Sequence, residues 1–184
     1  MARCCRSCAT ASSAASALFT SFPLSTERSI SNNCAAAADV VAAQRRRQLE
    51  VATPQETYLR GGRFDKNAML ALIQETLKTG TTLGFALTRL VAHAESVLED
   101  WANVNDWIEY ETRVNEVLPR YSDPVICTYD TNLLNGAIAV DILRTHPVAI
   151  IGGLLHENPF FVPPQELLRQ VLQRGGERPK AYRG

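Results

Sequence analysis

The stretch VICTYDTNLLNGAIAVDILRTHPVAIIGGLL, residues 125–155, contains the pattern that decides the fold class. It opens with a nearly continuous apolar run, which is typical of a buried strand. Residues 135–144 then carry apolar side chains at helical spacing, and Pro147 stops this helix because the residue before a proline avoids helical angles. A second apolar run at 148–155 predicts another buried strand. The stretch therefore predicts a strand, a helix and a strand in succession.

Similar alternation precedes and follows this stretch. It predicts an α/β fold with a mostly parallel sheet and helices on both of its faces. The predicted elements are a short strand at 49–51, a helix that Asp65 caps and Gly80 closes, a strand at 83–92, a helix at 104–118 that Pro119 ends, and a last helix at 165–174.

Charge and hydropathy exclude several classes of protein. Lys and Arg number 19 and Asp and Glu number 19, so the net charge is zero and gives no general attraction to nucleic acid or to an anionic membrane. No apolar run approaches the length that spans a bilayer. The cysteines suggest no disulfide framework, so we expect a cytoplasmic protein. Cys127 is predicted to be a small core residue.

The two ends of the chain differ from its middle. Residues 1–34 are rich in Ala and Ser, and we expect a low-complexity, disordered extension there. An organelle transit peptide, a secretory signal, and an extension without a folding role or with a mis-started reading frame all stay open. We expect one domain at 35–174 and a frayed polar tail at 175–184.

The chain lacks the motifs of several enzyme classes. It contains no G-x4-G-K-[ST] phosphate loop, no G-x-S-x-G elbow and no H-E-x-x-H helix. We therefore expect a protein without catalysis, cofactor or bound metal. A metal pair of His93 and His156 with Glu95 or Glu157 is the alternative to solvated loop histidines, and His146 is predicted to cap a helix.

Ligands of parallel α/β sheets bind beyond the carboxyl ends of the strands. Polar residues follow three predicted strands at such positions, and two arginines flank the Gly61-Gly62 turn. Asp130 is equally suited to capping the turn that follows it, and the arginine loop to a salt-bridged surface loop. The candidate ligand-binding residues are Tyr58, Arg60, Arg63, His93, Glu95, Tyr129, Asp130, His156 and Asn158.

Several short motifs, taken in order, resemble the MEDS domain, a sensory domain named after methanogen and methylotroph proteins. No single motif is specific, but their order and spacing over about 120 residues make chance similarity improbable. The matching stretches are 56–65 (ETYLRGGRFD), 89–93 (RLVAH), 108–111 (IEYE), 125–130 (VICTYD), 143–147 (LRTHP), 150–153 (IIGG) and 157–164 (ENPFFVPP).

This resemblance implies a fold related to the RecA/KaiC branch of P-loop ATPases, incomplete here and without the Walker A loop. It also implies a prokaryotic domain that senses small hydrocarbon derivatives and signals through a histidine kinase, an anti-sigma-type protein or a transcription regulator. Residues 1–34 do not resemble the family's first strand and helix. The chain is therefore expected to be truncated or altered there, with an exposed sheet edge that promotes self-association. A degenerate ATPase-like scaffold or a fragment without function is the alternative.

Overall fold

A computed structural model describes the backbone of residues 16–21 and the chain at 40–94 and 104–176. Helices and strands alternate along most of this length. The elements are β1 (Ser16–Ser21), α1 (Val40–Arg45), β2 (Leu49–Ala52), α2 (Lys66–Thr82), β3 (Leu87–His93), α3 (Val104–Val117) with a 3-10 turn at Leu118–Arg120, β4 (Val125–Thr128), α4 (Gly136–Thr145), β5 (Val148–Ile151), β6 (Leu154–Glu157) and α5 (Pro164–Gly176).

Four of the strands form one parallel sheet in the order β2-β1-β3-β4. In its register Leu18 pairs with Leu49 and with Arg89, and Ala92 pairs with Cys127. Parallel neighbours joined through helices are the hallmark of the α/β class. The predicted class is therefore confirmed, and the strand predicted at 125–129 is present as Val125–Thr128, while helices on both faces of the sheet stay a prediction.

The position of β1 differs from our expectation for the N-terminal region. Ser16–Ser21 lie within the stretch for which we expected no packed structure, yet their backbone pairs with both β2 and β3. The region that we had expected to be truncated or altered thus supplies an inner strand of the sheet. The other residues of 1–34, including Cys4, Cys5, Cys8 and Cys34, lie outside the described residues, as does the tail from 177 onward.

The core lies where helices α2 to α5 and strand β3 pack together. Buried side chains from these elements form a cluster that includes Ile73, Leu90, Trp107, Ile138 and Leu167. Aromatic rings meet edge to face within it. Burial of this cluster supplies the main driving force that holds the helices against the sheet.

The ends of α2 show why it folds where it does. Asp65 caps it as predicted, because its carboxylate accepts from the backbone N–H groups of Asn67 and Ala68. The predicted end at Gly80 is wrong. The helix continues to Thr82, and Gly84, at φ 84°, ends it. The backbone N–H groups of Gly84 and Phe85 donate to the carbonyl oxygens of Thr81 and Gly80 in the last turn. Gly80 instead lets β3 approach the helix closely.

The prediction of one buried strand at 148–155 is also wrong. β5 and β6 form a separate antiparallel hairpin, with Gly152 and Gly153 at φ 56° and 85° in its turn. Two adjacent residues with positive φ make the tight turn that suits a hairpin. Leu154 and Leu155 are 67% and 72% exposed. The apolar run that suggested a buried strand therefore lies on the surface of the protein.

Across the described residues, no helix is both long enough and apolar enough to cross a membrane.

The contact between Gly80 and β3 leads to a stability prediction. A methyl group at Gly80 would overlap the buried Thr88 side chain. Gly80→Ala should therefore lower the free energy of unfolding by about 1–3 kcal/mol, although alanine favours helices by about 1 kcal/mol. Urea unfolding followed by circular dichroism measures this change.

Gly136→Ala is the matched control, because a methyl group there meets no atom within 4 Å and Gly136 lies in the first turn of α4. It should be neutral or slightly stabilising. Equal stability of the two variants would contradict the close approach of α2 to β3.

Candidate functional site

A mostly apolar cavity of about 270 Å³, partly open to solvent, lies between the strands β3 and β4 and the helices α2 and α3. A cavity of this size falls slightly below the range of typical small-molecule pockets, so it suits a compact ligand. Its walls come from the loop before α2, from α2, β3, α3 and β4, and from the residues after α4. The apolar lining includes Tyr58, Ile73, Leu90, Trp107, Val114 and Val125.

One carboxylate stands in this apolar wall. Glu111 of α3 is only 4% exposed. Its Oε1 accepts a short hydrogen bond from the Tyr129 hydroxyl, and its Oε2 accepts one from Thr145 Oγ1 at 2.8 Å. The His146 ring lies beside it, with Nε2 at 3.8 Å from Oε1. A carboxylate held by hydroxyls in a low-dielectric wall is a strong acceptor for any polar group that enters the cavity.

Cys127 and His146 lie beside this carboxylate. The Cys127 thiol, a carboxylate oxygen of Glu111 and a ring nitrogen of His146 all lie within 4.8 Å of one another. His146 Nδ1 is 2.8 Å from the Ile142 carbonyl oxygen, which can only accept, so Nδ1 carries the proton. The other ring nitrogen, Nε2, faces Glu111. The three side chains form the polar part of the cavity wall together with Thr57, Thr76 and Asn115.

Burial changes the acid–base chemistry of this wall. It raises the pKa of the Cys127 thiol well above its usual 9.0, and the nearby Glu111 charge adds to the rise. It likewise raises the pKa of the Tyr129 phenol well above 10.0, again with a contribution from Glu111. Both groups therefore stay protonated at neutral pH, as the hydrogen bond from Tyr129 to Glu111 requires.

The sheet and two asparagines position these groups. Pairing of β3 with β4 places Cys127 beside Ala92. Asn115 Nδ2 donates to the Thr145 carbonyl oxygen at 2.6 Å, which ties α3 to the end of α4. Asn158, a predicted site residue, donates instead to the carbonyl oxygens of Leu143 and His146. It therefore fixes the backbone that carries His146.

The structure places one predicted site residue, Tyr58, in the cavity lining and another, Tyr129, against the Glu111 carboxylate. Tyr58 is buried. Tyr129 bridges Glu111 and Trp107, whose Nε1 donates to the Tyr129 hydroxyl at 3.2 Å. The ring of Tyr129 also meets that of His146 edge to face.

Five predicted residues lie elsewhere among the described part of the chain. Asp130 is exposed and accepts from the backbone N–H of Asn132, which fits the turn-capping alternative. Arg63 and His156 are exposed, the latter in the hairpin, and His93 is half-buried at the end of β3. Arg60 lines a separate polar cleft of about 440 Å³ beside β2. Glu95 falls outside the described residues.

Our sequence analysis missed Glu111 as a site residue and interpreted Cys127 as core. A signal for Glu111 was present, because position 111 follows 104, 107 and 108 on the apolar stripe of the predicted helix. A carboxylate on such a stripe is buried when the helix packs. The meeting of Glu111 with Cys127 and His146 depends on tertiary packing and had no signal in the sequence.

The raised pKa values lead to a prediction for alkaline pH. Unfolded chains ionise a thiol near pH 9.0 and a phenol near pH 10.0, whereas the folded chain keeps both groups protonated. The stability that these groups contribute is therefore complete below pH 9.0 and is lost as the pH rises further. The free energy of unfolding should fall by about 1.4 kcal/mol per pH unit for each group.

Urea unfolding between pH 7 and 11, with a chelator present, measures this fall. Cys127→Ala removes the thiol, so the fall should begin about one pH unit higher than in the unchanged protein. An identical pH dependence for both proteins would contradict a raised pKa of the Cys127 thiol.

Comparisons with known proteins identify the family. The family model for the methanogen/methylotroph DcmR sensory domain, MEDS, matches residues 11–147, which is more than half of the chain. The match begins within the region that we had interpreted as unlike the family, and it ends before 150–153 and 157–164, two of the stretches on which the resemblance was based.

No curated protein and no solved structure matches the chain. The expected kinship with P-loop ATPases is therefore not supported by these comparisons. The match to the family model covers β1 to β4 and the whole set of Glu111, Cys127 and His146. The chain belongs to the MEDS family of sensory domains.

Proposed function

We propose that this chain senses a small organic molecule, of the hydrocarbon-derivative type, that binds in the core cavity. The observation that supports this proposal is the combination of apolar walls with one buried carboxylate. Apolar walls favour a compact carbon skeleton. Glu111 and the His146 ring would orient a polar substituent on that skeleton, so the site would distinguish a derivative from a plain hydrocarbon.

The proposal requires no catalysis, and we place the protein in the cytoplasm. A bound molecule would contact α3 through Val114 and the end of α4 through His146, both of which line the cavity. Ligand binding would thereby change the packing of these two helices. A separate histidine kinase, anti-sigma-type protein or transcription regulator would read that change.

A melting experiment tests the cavity. Halogenated and oxygenated hydrocarbons of one to four carbons are added, and thermal unfolding is followed by circular dichroism. A molecule that binds only the folded chain stabilises it by about 2.7 kcal/mol at 100 times its Kd. The melting temperature of the unchanged protein should therefore rise with ligand concentration.

Val114→Phe adds bulk to the cavity wall and should abolish this rise. Val140→Phe, at an exposed position of α4, is the matched control and should retain it. The proposal fails if no compound raises the melting temperature, or if Val114→Phe responds as the control does.

A second candidate function, protein–protein contact, is favoured by the β5-β6 hairpin. Ile150, Ile151, Leu154 and Leu155 are all at least 59% exposed. Contiguous exposed apolar residues of this kind mark interaction sites. We propose that this hairpin promotes association with a second copy when no other partner is present.

The hairpin variant Leu154→Lys with Leu155→Lys should stay monomeric at concentrations at which the unchanged chain associates. Sedimentation equilibrium over a range of concentrations measures this difference. Leu133→Lys is the control, because Leu133 is 56% exposed and is not part of the hairpin. This variant should associate as the unchanged chain does. Equal association of the hairpin variant and the unchanged chain would exclude the hairpin as the contact.

A further inference from the structure

We infer that Glu111, Cys127 and His146 bind a divalent metal ion of the zinc type in the wall of the cavity. The three side chains come from α3, β4 and the residue after α4, and they converge on one point. Cysteine sulfur, histidine nitrogen and a carboxylate oxygen are the ligand atoms that zinc takes in proteins. This inference is independent of whether the cavity binds an organic molecule.

The distances suit such a site. Zinc ligands lie about 2.0–2.3 Å from the ion, which places them roughly 3.3–3.7 Å from one another in a tetrahedral site. The three ligand atoms here lie within 4.8 Å of one another, and Glu111 Oε1 is 3.8 Å from His146 Nε2. Side-chain movements of about 1 Å would therefore close them around an ion.

The hydrogen bonds around the three side chains match those of metal ligands. His146 donates through Nδ1 to a backbone carbonyl, so Nε2, which faces the carboxylate, is the ring nitrogen that can bind a metal. Tyr129 and Thr145 donate to Glu111 and hold its orientation. Metal-binding histidines and carboxylates are usually oriented by such outer hydrogen bonds.

Charge balance gives a second argument. The Glu111 carboxylate and His146 Nε2 face each other at 3.8 Å, and a carboxylate and a ring nitrogen at this distance need a proton or a cation between them. A zinc ion with a thiolate, a carboxylate and a neutral imidazole forms a set with no net charge. A neutral set costs least to bury in apolar surroundings. Three protein ligands would leave the fourth position to water or to a molecule in the cavity.

Cobalt(II) provides a direct test, because its thiolate complexes absorb in the near ultraviolet and its tetrahedral complexes absorb strongly in the visible range. The full chain is titrated with Co²⁺ alone, without any organic compound. One equivalent should produce both absorptions, and Zn²⁺ should displace the Co²⁺. Binding should release a proton, because a thiol must ionise to bind a metal.

Variants assign the absorption to the three residues. Cys127→Ser should abolish the thiolate band, and His146→Gln should weaken Co²⁺ binding by about tenfold or more. Tyr129→Phe should weaken binding about tenfold while the spectrum keeps its shape, because it removes an outer hydrogen bond. His156→Gln, at an exposed histidine in the hairpin, should change nothing.

The other four cysteines need their own control. A chain with Cys4→Ser, Cys5→Ser, Cys8→Ser and Cys34→Ser should retain the thiolate band. A band that persists in Cys127→Ser, or that disappears in the four-serine chain, overturns the inference. Circular dichroism checks that each variant is folded. If Cys127→Ser does not fold, unchanged Co²⁺ affinity in His146→Gln overturns the inference, and weakened affinity supports it.

Discussion

The burial of the Glu111 carboxylate is the constraint on which the rest of this structure depends. A buried charge is costly unless hydrogen bonds replace those that it makes with water. Glu111 is 4% exposed, and Tyr129 and Thr145 donate hydrogen bonds to its carboxylate. Those partners come from the end of β4 and the end of α4, so the carboxylate fixes both elements against α3. Removal of either partner would take a hydrogen-bond donor away from the buried carboxylate.

An open space lies beside this carboxylate. Apolar residues of α2 and β3 line a cavity of about 270 Å³ together with Glu111. A hollow apolar space with one fixed polar group is the arrangement expected of a site that distinguishes small molecules by a single substituent. Membership of the MEDS family, which is a sensory family, agrees with this use of the cavity.

Residue patterns predicted the parts of the fold that depend on local physics. The Asp65 cap, the helix that Pro119 ends and the strand at 125–128 each rest on neighbouring residues, and the structure confirms them. The run at 148–155 was misinterpreted because apolar content alone does not distinguish a buried strand from an exposed hairpin. Gly152-Gly153 was the available sign of a turn. The site was only partly predictable, since Tyr58 and Tyr129 reach it whereas Asp130 caps a turn. The convergence of Glu111, Cys127 and His146 is set by packing between distant segments.

The central claim is that side chains leave an open apolar space beside the Glu111 carboxylate. A crystal structure determined under xenon pressure tests this claim most directly, because xenon enters apolar cavities and is easily located. The account predicts a xenon atom among Tyr58, Leu90 and Val114, next to Glu111, which line the cavity. A structure in which these side chains fill the space and no xenon binds there would contradict it.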